Sequence, residues 1–247
     1  MPSILRGQRY SFMVNHIMKA ILWDMDGTIV NTEHLWGDAT YALAEEMGKP
    51  LIPEVRALTI GGTQEGTISL LSNYAGIPLT DASMQHWKGR IRSIMGELLA
   101  GDIEFRPQIP EILHEAHTEG LPMALVTNTT RDLTDIALAS MYRKISEETF
   151  TFTLCGDEVD TGKPAPDIYL EAARRMRCKP DECLVVEDSS TGMTAAFTAG
   201  CRVIGIPVEE ETVVPEEVTA LDMLRPGAAD LTGMGVKDLR NIYLQLG

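Results

Sequence analysis

The sequence predicts an α/β protein: a Rossmann-like core built on a parallel sheet, with a helical domain inserted after the first strand. Three observations lead there. Short apolar runs rich in β-branched residues alternate with helix-like stretches over most of the chain. Between about His34 and Glu104 that alternation stops, and only helical periodicity is left. The apolar runs also end on functional polar groups, first of all in "AILWDMDGTIVNTEH" from Ala20, where two aspartates stand two residues apart.

Taken in order, the strand-like runs are "KAILWD" at 19 to 24, "PMALVTN" at 122 to 128, "CLVVED" at 183 to 188 and "RVIGI" at 202 to 206. Each is too continuously apolar for a strand with one wet face, so buried parallel strands are expected. The helices expected between them are 110 to 120, 132 to 142, 166 to 176 and 191 to 200, giving a sheet wound by right-handed crossovers. In the interruption, Met84, Trp87, Ile91, Ile94, Met95 and Leu98 follow the spacing of an amphipathic helix, and Leu35, Ala39, Ala42, Leu43 and Met47 do so one helix earlier. The expected division is an N-terminal extension at 1–17, a core at 18–33 and 105–247, and a helical cap at 34–104.

Composition sets the limits. With 247 residues, 44% of them hydrophobic, the chain can bury a real core. The net charge of −15 repels nucleic acid and anionic membranes, so neither is an expected partner. A small anion is different, because one bound cation and a few donors reverse the field inside a pocket. The acidic "EEETVVPEE" from Glu209 to Glu217 reads as a solvated loop or helix start. Cys155, Cys178, Cys183 and Cys201 form no CxxC pair, which fits a reduced, cytoplasmic interior. No run approaches the length of a membrane span, the first residues lack the apolar stretch of a signal peptide, and a monomer is favoured.

In an open parallel sheet, ligands sit beyond the carboxyl ends of the strands, near the switch in winding. Those ends carry Asp24 and Asp26, then Thr127 and Asn128, then Glu187 and Asp188, with Lys163 in "DTGKPAPD" before a helix. Each piece alone has a plain explanation: helix caps for the acids and threonine, a surface position for the lysine. Together and in order they suggest carboxylates gathered around a divalent cation, for which oxygen ligands suit magnesium. An EF-hand is excluded, since Ile29 and Leu35 stand where glycine and glutamate are required.

These residues resemble the four motifs of the haloacid dehalogenase superfamily of phosphotransferases, in its C1-capped phosphoglycolate phosphatase and β-phosphoglucomutase-like branch. "DMDGT" is similar to the first motif, "VTN" to the second, Lys163 in "GKPAPD" to the third and "EDSSTG" to the fourth. The resemblance implies that Asp24 is the nucleophile forming an aspartyl phosphate and Asp26 the general acid and base. It implies phosphoryl contacts from Thr127 and the Asn128 N–H, and charge neutralisation by Lys163. Mg2+ would be held by Asp24, the Asp26 carbonyl and Asp188, with Glu187 as a further or outer ligand.

Within the superfamily, the second aspartate argues for phosphoester chemistry. The mutase branch resembles this chain closely, yet Trp36 stands where its histidine is expected and Gln64 where its cap loop has a phosphate-anchoring arginine. A phosphatase for a small phosphorylated metabolite is therefore expected, with a sugar phosphomutase and a non-catalytic phosphometabolite-binding protein as alternatives. Gly61, Gly62, Thr63 and Gln64, in a loop from Gly61 to Glu65, are the candidate substrate-binding residues of the cap.

Overall fold

The computed structural model describes residues 17–59, 63–208 and 212–246. Six parallel strands form one sheet: β1 (Ala20–Trp23), β2 (Met123–Thr127), β3 (Phe152–Cys155), β4 (Cys183–Glu187), β5 (Arg202–Gly205) and β6 (Thr219–Ala220), in the order β3-β2-β1-β4-β5-β6. The chain starts in the middle, winds outward through β2 and β3, then returns beside β1 as β4. The switch point therefore lies between β1 and β4, and it falls where the sequence stacks its carboxylates.

Period-two alternation sends the strands' side chains to two separate cores. Ile21, Trp23, Met123, Leu125, Leu184 and Val186 pack on one face with α5 (Ile109–Thr118), α6 (Arg131–Met141) and α10 (Val236–Gln245). Ala20, Leu22, Ala124, Val126, Val185 and Val203 pack on the other with α7 (Asp167–Arg175) and α8 (Ser190–Thr198). Every residue of β1, β2, β4 and β5 is buried, which accounts for their unbroken apolar runs. Two strands escaped the sequence reading. β3 is the short run Phe-Thr-Leu-Cys, with its first two residues half-buried, and β6 has only two residues.

Between β1 and β2 lie α1 (Glu33–Glu46), α2 (Pro53–Ala57), α3 (Gln64–Ala75) and α4 (Asp81–Leu99), with no strand in this insert among the described residues. Ala39, Leu43, Ile91 and Met95 are fully buried where α1 and α4 meet, as their spacing requires. The insert's two connections run side by side: Val30 and Phe105 form an antiparallel bridge, with Asn31 N–H on the Glu104 carbonyl at 2.8 Å and Arg106 N–H on the Ile29 carbonyl at 2.9 Å. α4 also rests on core helix α6, where Arg92 pairs with Asp132 and Gly96 admits Ile136. The described part of the acidic segment, from Thr212 on, is irregular, with Glu216 and Glu217 exposed.

Candidate active site

Asp24 follows β1 directly and stays buried, its N–H bonded to the Val186 carbonyl at 3.1 Å. Lys163 is buried beside it. Its ammonium donates to Asp24 Oδ1 at 2.5 Å, to Glu187 Oε1 at 2.6 Å and to the Val126 carbonyl at 2.9 Å, so all three donors are engaged. The lysine is steered there by Asn128, whose side chain accepts the Lys163 N–H at 2.8 Å and donates to the Lys163 carbonyl at 3.0 Å. The approach is close enough that a Cβ on Gly162 would stand 2.7 Å from Asn128 Oδ1. That contact explains the small residue before the lysine.

Glu187, the last residue of β4, has no exposed surface. Its Oε1 accepts from Lys163 and from the Tyr169 hydroxyl at 2.7 Å, while Oε2 accepts from the Ser189 N–H at 3.3 Å and hydroxyl at 3.1 Å. Ser189 also caps α8 by accepting from the Gly192 N–H at 3.1 Å. Asp188 accepts from the Thr28 hydroxyl at 3.1 Å and lies over Gly27, where φ is +79° and a Cβ would meet Asp188 Oδ2 at 2.1 Å. Gly27 therefore serves both the turn and the contact.

Asp24, Glu187 and Asp188 each offer an oxygen within 4.8 Å of the others. One ammonium cannot balance three carboxylates, and the titration behaviour reflects the deficit. Burial, and then the charge of Glu187, hold the Asp24 carboxyl well above its usual range. The same two causes push Asp188 up to about 7, against the opposing Thr28 hydrogen bond. Burial alone would lower the pKa of Lys163, but the charges of Asp24 and Glu187 outweigh it and raise it. A surplus of buried oxygen charge is the condition that a hard divalent cation relieves, so the donor set fits such a cation.

Asp26 sits in a cradle of hydroxyls. Its Oδ1 accepts from Thr32 at 2.7 Å, and its Oδ2 from Thr129 at 2.7 Å and Thr127 at 3.3 Å. Thr32 stands at the N-cap of α1 in helical rather than extended backbone conformation and makes no side-chain cap bond; its hydroxyl donates to Asp26. Thr127 likewise is not a cap: it ends β2, and the N-cap of α6 is Thr130.

Asp24, Asp26, Thr127, Asn128, Lys163, Glu187 and Asp188 thus converge as their motifs suggest. Of the predicted cap residues, the described Thr63 and Gln64 do not join them. Gly61 and Gly62 lie outside the described residues, and Thr63 is the exposed N-cap of α3, accepting from the Gly66 N–H at 3.1 Å. Gln64 and Glu65 belong to α3 itself, so the expected loop from Gly61 to Glu65 ends at Thr63: a capping threonine starts the helix earlier than the glycines suggest. Sequence reasoning overlooked Thr28, Thr32, Thr129, Tyr169 and Ser189. The run of hydroxyls in "VTNTT" was the available signal for Thr129, whereas nothing local marks Tyr169.

A doubly wound parallel sheet with acids and a lysine at its switch point defines a class of α/β hydrolases and transferases. The family model described as "Haloacid dehalogenase-like hydrolase" matches residues 21–206, and the chain belongs to that family. It is 31% identical, over 79% of its length and 85% of the relative's, to a "Probable pseudouridine-5'-phosphatase" of Drosophila melanogaster. It is 30% identical, over 76% and 85%, to a "Phosphorylated carbohydrates phosphatase" of Thermotoga maritima. Among solved structures, a mutant CbbY from Rhodobacter sphaeroides in complex with xylulose-(1,5)bisphosphate matches with TM-score 0.74 and 26% identity, covering 90% of this chain and 99% of that one.

Proposed function

We propose that the protein is a Mg2+-dependent phosphatase that hydrolyses a small phosphorylated metabolite, such as a sugar phosphate, through an aspartyl-phosphate intermediate. The observation that carries this reading is Asp24: a buried carboxylate at the sheet's switch point, 2.5 Å from a fully engaged lysine and beside two further acids. The names of similar proteins, phosphatases of phosphorylated carbohydrate and nucleoside, support the substrate class.

In this reading an Asp24 oxygen attacks phosphorus while the ester bond to the leaving oxygen breaks. Asp26, oriented by Thr32, Thr127 and Thr129, gives its proton to that leaving oxygen. It then takes a proton from the water that attacks phosphorus and frees Asp24. Lys163 offsets charge on Asp24 and the phosphoryl group, with Thr127 and the Asn128 N–H as further phosphoryl contacts. Magnesium would be held by Asp24, the Asp26 carbonyl and Asp188, with Glu187 beside them, and would supply positive charge to the phosphoryl oxygens.

The helical insert at 34–104 acts as a cap, with 31–33 and 104–107 as its paired hinges. Thr63 and Gln64, at the start of α3, are the described cap residues that would contact substrate when it closes, and Gln64 in place of an arginine disfavours a second-phosphate anchor. Four free thiols suit action in the cytoplasm. The test is free phosphate release from a panel of sugar, nucleoside and carboxylate monophosphates, with Mg2+ and with EDTA. Net Mg2+-dependent phosphate is expected. Isomerised sugar phosphate without net phosphate makes the protein a mutase, and binding without turnover makes it a binding module.

A further inference from the structure

Glu187 is bound by the protein on both oxygens. Each carboxylate oxygen has about two in-plane lone pairs. Oε1 accepts from Lys163 and Tyr169, and Oε2 accepts twice from Ser189. The carboxylate is also walled in, since a Cβ on Gly192 would lie 1.9 Å from Oε1 and 2.1 Å from Oε2. A cation ligand needs a lone pair directed at the cation, and this group has committed its own elsewhere.

Tyr169 is the residue that completes this arrangement. It is fully buried on α7, with its hydroxyl on Glu187 and its ring centroid 5.1 Å from the Lys163 ammonium. It therefore touches both partners of the ion pair. We infer that Tyr169 is a positioning residue: with Ser189 it holds Glu187 as the fixed counter-ion of Lys163 and keeps that carboxylate from ligating the metal. The chain of contacts runs from Tyr169 to Glu187 to Lys163 to Asp24, so the hydroxyl acts on the reacting carboxylate without touching substrate. Only the turnover consequence rests on the phosphatase reading; the metal consequence stands without it.

The test is Tyr169→Phe, which removes one oxygen and keeps the ring. Mg2+ is titrated calorimetrically into substrate-free protein, and phosphate release is measured in parallel. With one lone pair of Oε1 freed and Lys163 its remaining partner, Mg2+ binds at least threefold more tightly, while kcat falls at least fivefold and KM stays within twofold. Ser189→Ala, which removes the hydroxyl from Oε2 and leaves only the backbone N–H on it, shifts Mg2+ affinity in the same direction and decides the matter if the tyrosine variant does not fold. Unchanged or weaker Mg2+ binding in the variants overturns the inference. Failure of the phosphatase reading would show instead as wild-type protein that releases no phosphate while the two metal titrations still differ from wild type.

Discussion

Asp24 and Lys163, 139 positions apart in the chain, meet at 2.5 Å inside the protein, and the same ammonium reaches Glu187 at 2.6 Å. Both acids are buried, Glu187 completely, so little water can replace the lysine if it is lost. Breaking such a buried pair from one side costs about 3–5 kcal/mol, because the remaining charge is left uncompensated. Lys163→Met is expected to lose stability of that order in urea unfolding and to abolish turnover. A loss below about 1 kcal/mol would mean that the lysine is a surface-like bystander.

Asn128 makes a prediction distinct from that of a phosphate ligand. Its amide closes on the Lys163 backbone from both sides, at 2.8 and 3.0 Å. Asn128→Ala should cost about 1–3 kcal/mol through the two orphaned backbone groups. It should also lower kcat about tenfold or more by letting the ammonium drift. Intact kcat with only a raised KM would assign the side chain to substrate instead.

The raised carboxyl of Asp188 gives stability a pH dependence of known sign. Its ordinary value is 3.8, and in the metal-free fold it is pushed up to about 7. Between those values the native state holds a proton that the unfolded chain has lost, so stability falls as pH rises through that window and levels off above it. Asp24 shifts in the same direction. Urea midpoints taken with EDTA should decline from about pH 4.5 to 7, and saturating Mg2+, which favours the ionised acids, should remove the decline. A slope unaffected by Mg2+ would argue against a cation at this cluster.

Two glycines are predicted to be irreplaceable and a third dispensable. Gly27→Ala drives a Cβ to 2.1 Å from Asp188 Oδ2 at a φ of +79°, and Gly192→Ala drives one into both oxygens of Glu187. Each should cost about 1–3 kcal/mol and most of the activity. Gly89, inside α4, has nothing within 4 Å of its would-be Cβ, so Gly89→Ala should stabilise by about 0.5–1 kcal/mol with activity unchanged. Thermal unfolding and phosphate release on the three variants check this.

The backbone of the site was legible in the sequence because strand ends are encoded locally. β1, β2 and β4 are buried on both faces, so each apolar run stops where Asp24, Thr127 or Glu187 must turn toward the ligand side. β3 was not legible: at the sheet's edge, its "FTLC" needs only half the burial and reads as neither strand nor helix. Tyr169 was hidden for another reason. Its position fits the apolar stripe of α7, and only the packing of α7 against β2 and β3, which carries the hydroxyl to the end of β4, reveals a partner 18 residues away. Of the hydroxyls around Asp26, Thr129 had a signal in the run "VTNTT", whereas Thr32 looks like an ordinary residue at a helix start until the fold brings it to the carboxylate.

The central claim is that the phosphoryl group passes through Asp24. Rapidly quenching the protein in turnover with a hydrolysed metabolite phosphate and Mg2+, then reducing with borohydride, converts an aspartyl phosphate to homoserine that peptide mass spectrometry can locate. The account predicts homoserine at position 24, dependent on substrate and absent from Asp24→Asn. Its appearance at another aspartate, or substrate turnover with position 24 left unmodified, would contradict it.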